Sequence, residues 1–130
     1  MKILGPRPHG VIDYLAVVLL ALAPTLFGFA GIAATLCYVL AVVHLVMSLV
    51  TAYPLGVAKL VPFPIHGGVE LAVAIFLVAA PWIFGFADLA AARNFFVASA
   101  AALLLVYLLT NYRVTDTHRS NDNLRTQHPA

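Results

Sequence analysis

The segment His9 to Ala30, HGVIDYLAVVLLALAPTLFGFA, recurs without a gap as His66 to Ala87, HGGVELAVAIFLVAAPWIFGFA, each matched residue lying 57 positions further on. A chain built this way packs one unit against a copy of itself. Both copies open on His-Gly, place an acid four residues after the His (Asp13, Glu70), and carry Pro three residues before a closing Phe-Gly-Phe-Ala. The likeness extends upstream, where Lys2-Ile3-Leu4 aligns with Lys59-Leu60-Val61 at the same spacing. Downstream, Leu49-Val50-Thr51-Ala52-Tyr53 aligns with Leu108-Leu109-Thr110-Asn111-Tyr112 at a spacing of 59. The repeats therefore span 2–53 and 59–112, each a whole helical hairpin, within a membrane domain of 1–112 followed by a polar tail of 113–130.

Of the 130 residues, 63% are hydrophobic and 9% charged, against about a quarter charged in ordinary soluble domains. The chain reads as an integral membrane protein. Four apolar windows, near 9–29, 31–53, 66–86 and 91–112, each reach the roughly 20 residues a helix needs to cross a bilayer. They lack the alternation of a membrane barrel strand, and a helix satisfies its own backbone in lipid. The expected fold is all-α, a four-helix transmembrane bundle made of two parallel-repeat hairpins. The first window is expected to stay in the protein rather than be cleaved as a leader, since its counterpart is internal and it contains Asp13. The single cysteine, Cys37, permits neither an internal disulfide nor a cysteine-built zinc site and reads as a packing residue.

Lys2, Arg7, Lys59, Arg113, Arg119 and Arg125 fall on one side of these windows and only Arg93 on the other, which places both termini and the central connection in the cytoplasm. With two spans per repeat, the copies enter the membrane in the same sense, related by an axis along its normal. Pro6, Pro8, Pro62 and Pro64 suit helix entries, whereas Pro24 and Pro81 should kink or end their helices. Phe27, Phe29, Trp82, Phe84 and Phe86 are expected at the outer interface, and Tyr53, Phe63 and Tyr112 at the inner one. The tail reads as a polar cytoplasmic segment, with His118 and His128 as solvated histidines. A net charge of +2 and the lack of a Gly-rich phosphate loop argue against nucleic-acid binding.

Chemistry concentrates near the inner helix ends. Residues four apart share a helix face, so His9 stands over Asp13 and His66 over Glu70. His44, Ser48 and Thr51 form one face of the second window, and the repeat counterpart of His44 is Leu103. The candidate polar locus is His9, Asp13, His44, Ser48, His66 and Glu70. Four roles compete for it. Helix-start caps and interhelical hydrogen bonds come first, followed by a proton or small-ion relay. The remaining two are a transition metal or haem on His9, His44 and His66, and a small amphiphilic ligand or lipid head between the hairpins. Otherwise no cofactor is called for, and the residues offer no nucleophile–base pair of the spacing that enzymes use.

The stretch Ala79-Ala80-Pro81-Trp82-Ile83-Phe84-Gly85-Phe86, preceded by an apolar helix, resembles the Ser-Pro-Trp (SPW) repeat of small bacterial membrane proteins, in which a helix ends in Pro-Trp and an apolar, Gly-containing turn. The likeness covers about one hairpin per copy. Ala80 stands where the motif has Ser or a similar residue, and Thr25 replaces the Trp after Pro24. The resemblance implies a multi-spanning protein of the bacterial inner membrane without an assigned activity, and it transfers no site residues. Gly67, Gly68 and the run Ala98 to Ala102 would permit close helix contact. The expected role is a non-enzymatic accessory or self-associating subunit, a homo-oligomer or part of a larger membrane complex, with the lipid bilayer as its first partner.

Overall fold

A computed structural model describes residues 2–113, so the reading of the polar tail, with His118 and His128, lies outside the described residues. Four helices follow one another: α1 (Pro6–Phe27), α2 (Gly31–Val50), α3 (Phe63–Ile83) and α4 (Ala90–Leu109). All four are long and apolar enough to cross a bilayer. Their outward faces carry Leu15, Val18, Val42, Val46, Ile75, Leu105 and Leu108, all exposed, as suits helices whose only internal obligation is to the neighbouring helix. The protein is an integral membrane protein of the all-α class. Within each hairpin the helices pack along their length, α1 on α2 and α3 on α4, while α1 touches α4 more lightly.

α1 and α3 begin three residues earlier than the apolar windows predict, and all four helices end two or three residues earlier; both shifts have a cause. Pro6 and Pro64 stand in the first turns of α1 and α3, where a fixed φ and a missing N–H favour helix initiation. At the other ends, the chain turns extended at Thr51 and Thr110, with ψ of 138° and 134°. Each extended exit pairs with the segment entering a helix of the other hairpin. Asn111 N–H donates to Leu4 O and Leu4 N–H to Leu109 O, both at 2.9 Å, while Ala52 N–H donates to Val61 O and Val61 N–H to Val50 O, both at 2.8 Å. These two short bridges, Leu4 with Thr110 and Thr51 with Val61, stitch the hairpins together at what we call the linker end. Tyr53 and Tyr112 thereby leave the helices and turn inward.

At the opposite end Pro24 and Pro81 do not stop their helices, which run on to Phe27 and Ile83. A proline deletes a hydrogen bond to the preceding turn without preventing one more turn from forming. The actual stop is a glycine in the left-handed region, Gly28 at φ 69° and Gly85 at φ 75°, which an L side chain enters only at a cost. The turn then closes through Phe29 N–H to Pro24 O at 3.0 Å and Phe86 N–H to Pro81 O at 2.8 Å. This geometry throws Phe29 and Phe86 into the core rather than leaving them at the interface, and Phe86 meets the buried Phe96 edge-on with ring centroids 4.9 Å apart. Trp82, Phe27 and Phe84 stay outside, as expected. Small residues fill the remaining space: Ala23, Ala33, Cys37, Ala80, Ala92 and Ala100 are buried in the same cluster. Of the other small residues expected at contacts, Gly68, Ala98, Ala101 and Ala102 are exposed.

A Gly28→Ala substitution should destabilise the protein by about 1 kcal/mol, the cost of holding a side chain in the left-handed region, measured by reversible unfolding in detergent. Ala at the neighbouring exposed Thr25 should cost less.

Candidate functional site

Four side chains that the sequence places in the candidate locus converge at the linker end. His9, Asp13, His66 and Glu70 are 0, 1, 0 and 3% exposed, and each offers a ligand atom within 4.8 Å of those of the others. They alternate around a small square. His9 Nε2 lies 3.3 Å from Asp13 Oδ1 and 3.2 Å from Glu70 Oε2, while His66 Nε2 lies 3.3 Å from Asp13 Oδ2 and 3.5 Å from Glu70 Oε1. Each imidazole thus faces one carboxylate of its own helix and one of the other hairpin.

Every corner of the square is braced from outside. His9 Nδ1 meets Thr110 Oγ1 at 2.8 Å and His66 Nδ1 meets Thr51 Oγ1 at 2.7 Å. The proton positions follow from the threonines. Thr110 Oγ1 donates its one hydrogen to Val106 O, and Thr51 Oγ1 donates its own to Met47 O, both at 2.6 Å. A hydroxyl has a single proton to give, so each threonine oxygen must accept from the imidazole, and both histidines carry Nδ1–H. The carboxylates are held likewise: Tyr53 Oη donates to Asp13 Oδ2 at 2.9 Å and Tyr112 Oη to Glu70 Oε2 at 2.7 Å. Burial, followed by the charge of the adjacent carboxylate, pushes both phenols well above the ordinary tyrosine range, which keeps them protonated donors. Room for the phenol rings comes from Gly10 and Gly67, where a Cβ would stand 3.0 Å from the Tyr53 ring and 2.7 Å from that of Tyr112. Phe63 closes the cluster, its ring centroid 5.1 Å from that of His9.

What remains is a set of inward-pointing atoms that face one another at 3.2–3.5 Å without hydrogen-bond geometry. His9 Nε2, His66 Nε2 and Glu70 Oε1 are buried and make no hydrogen bond among the described residues. His44 adds a third such nitrogen: its Nε2 is also unpartnered and lies 3.5 Å from Asp13 Oδ1. Its ring stands beside the square and lines a cavity of ≈ 150 Å³ between the four helices. Ser48 is fully buried one turn beyond His44. Its hydroxyl donates to His44 O at 2.8 Å on its own helix, a bond that a serine inside an apolar helix takes for want of water.

Two expectations are corrected. No side chain caps the start of any of the four helices, because the His-acid pairs sit beyond the first residues and turn inward, so these pairs are not helix-start caps. Tyr53, Phe63 and Tyr112 are buried in one cluster instead of lying at the membrane interface, since the extended exits at Thr51 and Thr110 aim them at the carboxylates. Thr110, Tyr53 and Tyr112 are the site residues that sequence reasoning missed, and Thr51 faces His66 rather than serving the face of His44. The signal for all four is their recurrence as Thr-x-Tyr after both hairpins, at the spacing of 59. No protein-family model, curated protein or solved structure matches the chain.

Tyr112→Phe should cost about 1–3 kcal/mol of stability by leaving a buried carboxylate oxygen unbonded. Gly67→Ala should cost a comparable amount, because its methyl group displaces the same ring. Unfolding of the double variant should fall short of the sum of the two, since one Tyr112–Glu70 bond is lost in each.

Proposed function

We propose that this is a membrane metalloprotein holding one divalent first-row transition ion between its hairpins, on His9 Nε2, His66 Nε2, Asp13 and Glu70. The observation that carries this reading is the set of unpartnered Nε2 atoms whose Nδ1–H protons are spoken for. Four ligands at about 2.0–2.2 Å from a tetrahedral ion stand about 3.3–3.6 Å apart; the imidazole–carboxylate sides of the square are 3.2–3.5 Å, and with the four ligand atoms within 4.8 Å of one another the square would fold toward a tetrahedron on taking up the ion. A network of imidazolium–carboxylate hydrogen bonds would be shorter, at about 2.7–2.9 Å. Bracing of each imidazole and each carboxylate by its own hydrogen-bond partner is the usual means of orienting metal ligands.

Charge balance is met by this reading, as it would be by two imidazoliums. Two carboxylates buried among apolar helices need two positive charges nearby, and two neutral imidazoles with one divalent ion supply them. Two nitrogens and two oxygens suit zinc, iron(II) or manganese(II). Haem suits the site poorly, because the imidazoles and carboxylates share one small shell without a slot for a macrocycle. The set also differs from the three-histidine one that the sequence offers, in that His44 stands off Asp13 as a neighbour. Such an ion would tie the two hairpins to each other, the role that the accessory-subunit reading gives to the polar locus. Lys2, Arg7, Lys59 and Arg113 gather at the linker end and Arg93 at the other, which supports a centre near the cytoplasmic leaflet. The likeness to SPW proteins favours the bacterial inner membrane.

Protein purified in mild detergent without chelator should contain, or take up from zinc or cobalt(II) solution, one equivalent of metal per chain by elemental analysis. Thr51→Val, which removes a brace and no ligand, should weaken binding by about 10–100-fold, and the Asp13→Asn, Glu70→Gln double variant should abolish it. Folded wild-type protein that takes up neither ion saturably would overturn the proposal.

A further inference from the structure

Each acid of the site takes one phenol from its own hairpin, Asp13 from Tyr53 and Glu70 from Tyr112, in both cases on one oxygen only. The other oxygen is where the repeats part. His44 on α2 turns its Nε2 toward Asp13 Oδ1, at 3.5 Å, and that nitrogen is buried with no hydrogen-bond partner among the described residues. Leu103 holds the corresponding place on α4, 59 positions further on, and it is Glu70 Oε1 that stands bare. The missing imidazole and the bare oxygen fall in the same repeat. His44 does not belong to the square, since the ligand atoms that lie within 4.8 Å of one another are those of His9, Asp13, His66 and Glu70. A carboxylate oxygen only accepts, so a nitrogen that faces one in a site sealed from water needs a proton or a cation between them. At His9 and His66 the proposed ion takes that place. At His44 it does not reach, and the proton is what remains.

We propose that His44 is a positioning residue of the centre, carrying its proton on Nε2, opposite to His9 and His66, and donating it to Asp13 Oδ1. The separation exceeds that of a hydrogen bond by about 0.3 Å, a gap that closes as the square gathers round the ion. Asp13 is then held at both oxygens, by Tyr53 and by His44, and keeps one orientation. Glu70 is held at Oε2 alone, so it is free to bring Oε1 to the ion or to withdraw it. Two acids that occupy equal places in the repeat thus serve as a fixed ligand and an adjustable one, and the difference lies in one pair of corresponding residues, His44 and Leu103. The inference deepens the metal reading and rests on it for any effect on an ion, whereas the position of the His44 proton follows from its place beside Asp13.

The test joins nitrogen-15 NMR of the full histidine-labelled chain in phospholipid nanodiscs, metal-free and loaded with cadmium-113, to cobalt(II) titrations of variants. In the cadmium form His44, assigned from the signals that His44→Gln removes, should carry a proton on Nε2 and show no coupling to the metal nucleus. His44→Leu should weaken cobalt binding by about 10–100-fold, while His44→Gln, which keeps an N–H donor at similar reach, should stay within about threefold of wild type. The loss in His44→Leu should vanish when Asp13 is already replaced by Ala and persist when Glu70 is, a pattern that a general loss of packing does not produce. One equivalent of metal together with a bare His44 Nε2, a cadmium coupling at that nitrogen, or an equal loss in all three backgrounds would overturn the positioning role and leave the centre. Folded wild type that takes up no ion, with His44 Nε2 protonated in the metal-free spectrum, would overturn the centre and leave the bond to Asp13; with that nitrogen bare, both fall. Should His44→Leu not fold, the wild-type spectra decide by the same criteria.

Discussion

Two imidazoles and two carboxylates, interleaved across the two hairpins and sealed from water, impose the condition that the rest of this protein meets. Neither hairpin holds a complete set. Each supplies one histidine and one acid, and each histidine sits within 3.5 Å of both acids. Buried groups of this kind are costly when a partner is missing, so the hairpins must meet in one register. The extended exits at Thr51 and Thr110 fix that register through the backbone, and the threonine hydroxyls at the same positions fix the imidazoles. One short segment therefore does two tasks in each repeat.

The other end of the bundle is built on a different principle. There, contacts come from alanines and from Phe29, Phe86 and Phe96, with glycine turns that return the chain into the core. Van der Waals packing of small residues is what remains available to helices in lipid, where hydrophobicity does not distinguish a protein neighbour from an acyl chain. Between the polar clasp and this apolar end lies the cavity, bounded on both sides by matching positions and interrupted by His44. The proposed centre thus borders this cavity, with Glu70, His66 and His44 among its lining.

Much of this was legible in the residues. The number of helices and their hairpin pairing follow from four apolar windows and the recurrence at 57. The proximity of His9 to Asp13 and of His66 to Glu70 follows from the helical repeat alone. Their meeting across the hairpins does not, because no periodicity reports how two helices face each other. The aromatic residues misled for a physical reason: tyrosine beside a membrane span is as much at home at the interface as in a core with a bonded hydroxyl. What separates the two here is the extended residue at Thr51 and Thr110, which a window of hydropathy passes over. Phe29 and Phe86 differ from Phe27 and Phe84 only by the turn at Gly28 and Gly85, again a backbone event.

The protonation of two nitrogens tests the central claim most directly. In nitrogen-15 NMR of histidine-labelled protein loaded with cadmium-113, His9 and His66 should each show a proton on Nδ1 and none on Nε2, with Nε2 coupled to the cadmium nucleus. If instead both nitrogens of both rings carry protons and no coupling appears on saturation with cadmium, the cluster is a pair of imidazolium–carboxylate bridges, and the metal centre is refuted.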